Sequence, residues 1–106
     1  MSVDNPEVID FIGVERTTGS VVLTISDHLD WSHEATHIEL LQEKLNGYMR
    51  FIESGEIRET YPDSVGRPVV ISIVGSHPLS SMAEEFLQHA RSRVGELGVE
   101  LRFEIK

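Results

Sequence analysis

Hydrophobic and polar positions along the chain change period several times, and each change marks an element. Val8 to Val14 carries apolar residues on both faces of an extended run, Ile9 and Phe11 on one side, Val8, Ile12 and Val14 on the other. Glu15-Arg16-Thr17-Thr18-Gly19-Ser20 is rich in turn formers, and Val21 to Asp27 then alternates, with Val21, Leu23 and Ile25 on one face. Two extended runs joined by a short Gly-containing loop predict a hairpin.

From about Asp30 the period becomes helical. Ile38, Leu41, Leu45, Tyr48 and Ile52 recur at steps of three and four, and Leu40 and Phe51 widen the stripe. Asp30 or Ser32 is the expected cap, and Gly55 the left-handed stop near Glu53. Glu56 to Thr60 reads as a short edge strand, and Tyr61-Pro62-Asp63-Ser64-Val65-Gly66 as a turn. Val69 to Val74 is a strand whose inward face is Val69, Ile71 and Ile73. Ser81-x-x-Glu84 has the form of a capping box. It opens a second amphipathic helix through Ala83, Phe86, Leu87, Ala90, Val94 and Leu97, which Gly98 ends. Val99, Leu101, Phe103 and Ile105 alternate with Glu100, Arg102 and Glu104, a strand with one buried and one wet face.

The order is ββα(β)βαβ. Each helix has a single apolar stripe, so the simplest packing is an α+β two-layer sandwich with two helices on one face of a four- or five-stranded mixed sheet. At 106 residues one domain, 1–106, is expected. The uncovered sheet face would show Thr24, Ser26, Ser72, Glu100, Arg102 and Glu104, with Val22, Val70 and Val74 as a modest apolar patch. Such a patch suits self-association as a homodimer, and it also suits ordinary scattered surface valines.

Composition removes several classes of function. There is no Cys, hence no disulfide framework, thiolate nucleophile or Cys-type zinc site. The net charge is −9, which opposes nucleic acid and anionic membrane surfaces. That charge is uneven: residues 1–43 hold nine acids and one base. An electrostatic partner would therefore be a protein with a basic surface meeting the N-terminal half, unless the charge serves solubility alone. The N-terminus lacks a basic region followed by an apolar run, and the apolar stretch Pro68 to Gly75 is far too short to span a bilayer, so a soluble cytoplasmic protein is expected.

His33-Glu34-Ala35-Thr36-His37 matches H-E-x-x-H, in which two imidazoles on one helix face hold zinc and the Glu acts as base in a metal-dependent hydrolase. Asp27, His28 and Asp30 lie close by in sequence. Against this, Leu40 and Glu43 stand where an extended motif needs Gly and His. The positive end of the helix also repels a dication and suits Glu34 as a dipole partner. The competing structural reading makes His33 half-exposed and His37 a flank of the apolar stripe, with no metal or other cofactor. No G-x-S-x-G elbow or Gly-rich phosphate loop is present. Trp31 is either an anchor for a partner or a lid over the start of the helix.

The segments Ser26-Asp27-His28-Leu29-Asp30-Trp31, Leu40 to Asn46 and Phe51 to Ile57, with Val8 to Ile12 and Tyr61-Pro62, give the chain its resemblance to a family of small bacterial α+β domains of unknown function. The resemblance spans nearly the whole chain. It implies a stand-alone bacterial domain and transfers no catalytic residues; His37 fits the pattern better than His33. It also directs attention to Asp27, His28, Asp30 and Trp31 as the binding surface. The function expected is a non-enzymatic protein-interaction module, with the hydrolase on His33, Glu34 and His37 as the alternative.

Overall fold

The computed structural model describes Ile9 and residues 11–106. Four strands form one sheet in the order β1 (Phe11–Val14), β2 (Val21–Asp27), β3 (Val69–Gly75), β4 (Val99–Ile105). β1 is antiparallel to β2, while β2, β3 and β4 run parallel in register from Val21↔Val69↔Val99 to Asp27↔Gly75↔Ile105. Parallel neighbours need crossovers, supplied by α1 (Glu34–Glu53) between β2 and β3 and by α3 (Ser81–Gly95) between β3 and β4. Both crossovers step in the same direction across the sheet, so right-handed connections lay both helices on the same face. The mixed sheet with its helices is the α+β architecture the hydrophobic pattern predicts.

The core lies between these layers. Val21, Leu23, Ile25, Ile71, Ile73, Val99 and Leu101 of the sheet meet Leu41, Leu45, Tyr48 and Phe51 of α1 and Leu87, Ala90 and Val94 of α3. Tyr48 is fully buried, and its hydroxyl donates to the carbonyl of Thr24 at 2.6 Å. A buried phenol is thereby paired, as it must be.

Several expectations change. Glu56–Thr60 is a helix, α2, not an edge strand, so the sheet has four strands among the described residues. Gly55 at φ +85° turns the chain out of α1 and straight into α2, burying Ile57. Pro62–Ser64 follows as a 3₁₀ turn. The cap of α3 is Ser80 rather than Ser81: its side chain accepts from the amide of Ala83 at 3.1 Å. The first strand, β1, is Phe11–Val14 and does not include Ile9; Val8 and Asp10, which the sequence assigned to it, lie outside the described residues.

On the uncovered face Val70 and Ser72 are buried and Val22 and Val74 half-buried, while Phe11 is 64% exposed. Arg102 reaches across this face to Glu15 at 3.4 Å and also pairs with Glu100 at 3.3 Å. No helix among the described residues is long and apolar enough to cross a membrane.

Candidate functional site

β2 and β3 end side by side at Asp27 and Gly75. The loop beyond the carboxyl end of β2 leads from the sheet into α1. Here the loop is His28 to His33, and its shape follows from two aspartates. The Asp27 carboxylate accepts the amide of Leu29 at 3.2 Å. Asp30 accepts both the amide and the hydroxyl of Ser32, at 3.1 and 2.6 Å. This is an Asx turn. The Ser32 hydroxyl, then its amide, hold the Asp30 carboxyl below the usual aspartate range. These bonds close the turn before the helix. The residue at the cap position of α1 is His33, without a side-chain cap bond, so neither Asp30 nor Ser32 caps the helix as the sequence suggested.

His37 binds this loop to α1. Its ring is 2% exposed and Asp27 is 3% exposed. Nδ1 lies 2.9 Å from the carbonyl of Asp30, and Nε2 lies 2.6 and 2.8 Å from the two oxygens of Asp27. A carbonyl only accepts, so Nδ1–H donates to it. Nε2 and the Asp27 carboxyl make one short hydrogen bond between two buried groups. Trp31 closes the assembly from outside, stacked on the imidazole with centroids 3.6 Å apart and planes inclined by 19°. Trp31 is thus a lid over His37, and it keeps a half-exposed surface of its own.

The sequence-selected residues therefore separate into two groups. Asp27 and His37 are brought together inside, as a hub. His28, Asp30 and His33 are exposed around it, and Trp31 lies between the two groups. A shallow depression of about 260 Å³ runs beside the loop, lined by Leu29, Asp30, His33, Thr36, His37 and Leu40.

The two histidines of H-E-x-x-H do not act together. His33 is exposed, with Nδ1 3.2 Å from the Ser32 hydroxyl. His37 has both nitrogens engaged by protein oxygens, so its ring has no lone pair to share with His33. Among the described residues no group of three or more His, Asp or Glu side chains is assembled to hold a metal. The arrangement fixes a loop, and it leaves no ring nitrogen of His37 to act as a base toward solvent.

What sequence reading missed is the Asp27–His37 bond. A signal was present: His37 stands four residues before Leu41 and continues the buried stripe of α1 toward its start.

The model of a family described only as a family of unknown function, DUF6572, matches residues 1–106. No curated protein and no solved structure matches the chain.

Proposed function

We propose that this chain, which belongs to the DUF6572 family of unknown function, is a protein-interaction module that offers the loop around Trp31 to a partner with a basic surface. One observation carries the reading: the loop is locked from beneath by His37, while Trp31, Asp30 and His28 remain accessible above it. A loop ordered before binding loses little entropy on docking. A half-exposed tryptophan is the side chain best suited to anchor a contact, and its face also receives cations.

Charge supports the choice of partner. Asp30 is exposed beside the loop, and Glu39 and Glu43 lie exposed farther along α1. Residues 27–43 contain no Lys or Arg. A lysine- or arginine-rich segment would meet acidic groups along this stretch, and no cofactor is needed. The alternative hydrolase would require His37 to surrender its bond to Asp27 or to Asp30, leaving a buried polar group unpaired.

Trp31 is the only tryptophan, so its emission reports on the loop directly. Titration with a Lys/Arg-rich peptide should shift that emission. The response should weaken in salt and fall several-fold in Asp30→Asn. An equal response to a Glu-rich peptide, or none to the basic one, would overturn the reading.

A further inference from the structure

The outer edge of β4 combines three features that point to one occupant. The first is backbone geometry. Lys106 donates its amide to Gly75, and Gly75 pairs with Ile105. The even-numbered residues of β4 thus direct their N–H and C=O groups toward β3, and Val99, Leu101, Phe103 and Ile105 direct theirs outward. Among the described residues β4 is the last strand of the sheet, and it contains no proline to block pairing. Arg91 of α3 donates Nε–H to the outward carbonyl of Leu101 at 3.4 Å, a long bond that leaves the second lone pair of that oxygen.

The second feature is burial. Val99 and Leu101 are buried beneath α3, Phe103 is only half-buried, and Ile105 is 52% exposed. The apolar alternation runs on past the surface that the helices cover. The third is charge. On the opposite face Glu100, Arg102, Glu104 and Lys106 alternate in sign along the strand.

We infer that β4 pairs antiparallel with β4 of a second copy of this chain, about a twofold axis at Phe103, joining two four-stranded sheets into one. An antiparallel pair places same-face side chains directly opposite each other. With the axis at Phe103, Arg102 meets Glu104 of the second copy and Glu100 meets its Lys106, so every facing pair is of opposite sign. On the other face Ile105 meets Leu101 and the two Phe103 rings meet each other. Phe103 directs its N–H and C=O outward, so the axis falls on a hydrogen-bonded pair. Moving the axis one residue, to Arg102 or Glu104, sets Arg102 against Arg102 or Glu104 against Glu104. Moving it to Leu101 or Ile105 shortens the ladder and keeps one kind of ion pair only. Arg102 is already held on its face by Glu15 and Glu100, so its charge is in place before the second copy arrives.

Sedimentation velocity of the full chain across the micromolar range tests this, with circular dichroism to confirm that each variant is folded. The wild-type chain should sediment as a dimer at the upper end. Glu104→Arg sets arginine against Arg102 at two symmetric places and should raise the dissociation constant about ten-fold or more. Adding Arg102→Glu to it restores opposite signs throughout and should recover the dimer. Ile105→Asp, at a position exposed in the single chain, should leave folding intact and weaken the dimer. A chain that stays monomeric throughout, or a dimer indifferent to Glu104→Arg and Ile105→Asp, overturns the inference.

Discussion

His37 decides how the loop before α1 is read. Its two hydrogen bonds, to Asp27 and to the carbonyl of Asp30, span residues ten and seven apart in sequence. The buried stripe of α1 marks His37 as inward-facing without naming its partners across the loop, which is why D-H-L-D-W reads from sequence as one surface. In the structure Asp27 belongs beneath that patch and holds it in place. Removing one member of a buried pair leaves the other uncompensated, so His37→Ala should lower stability by about 3 kcal/mol or more in urea unfolding. Trp31→Ala, which loses only the stack and part of its contact area, should cost nearer 1 kcal/mol. Equal small losses in both would show that the hub holds nothing. Glu15 makes a separate, pH-dependent contribution. The hydrogen bond from Arg102, then that from the Thr18 hydroxyl, holds its carboxyl below the ordinary value of 4.5. A depressed carboxyl contributes stability above its unfolded value and loses it as pH falls through the lower folded one. The melting-temperature gap between wild type and Glu15→Gln should therefore be open at neutral pH and close below about pH 4.5. A gap that persists in stronger acid would contradict the pairing.

At the scale of elements, the long segments were legible because they supply several turns or repeats of one period. Val21–Asp27, the helix ending at Glu53 and Val69–Gly75 are where the apolar spacing puts them, while the second long helix ends at Gly95, short of the Leu97 and Gly98 that the spacing assigned to its end. Glu56–Thr60 was not legible. Five residues with one buried side chain, Ile57, contain no second apolar position by which a period of two differs from one of 3.6. Its helical character comes from Gly55, whose positive φ stops α1 and redirects the chain. Gly55→Ala should cost about 1 to 2 kcal/mol by forcing a side chain into that region, where its Cβ would also come within 3.0 Å of the Arg58 guanidinium. A thermal melt unchanged by the substitution would place the turn elsewhere. β4 shows the opposite limit. Its alternation is unbroken in sequence, yet Ile105 is exposed because the helical layer does not extend that far. A pattern of two faces says which side chains share a face and says nothing of how far the cover reaches.

At the scale of the whole molecule, one layer of helices covers one face of one sheet. Both parallel crossovers travel the same way, so the sheet has no point at which neighbouring connections diverge to opposite faces and open a crevice. The depression beside the loop is correspondingly shallow, and its walls are largely apolar. The acidic groups divide evenly between residues 1–43 and the remainder, while the bases other than Arg16 all lie in the remainder. On the proposed reading, that asymmetry is what would draw a basic partner toward the Trp31 loop. All of this depends on the imidazole of His37 serving as a fastener with neither nitrogen to spare. Proton–nitrogen NMR of the His37 ring examines that most directly. The account predicts a protected Nδ1–H proton, slow to exchange, whose resonance is unmoved when zinc is added. An unprotonated Nδ1, an Nδ1–H that exchanges freely with solvent, or a ring resonance that shifts stoichiometrically with zinc would contradict it.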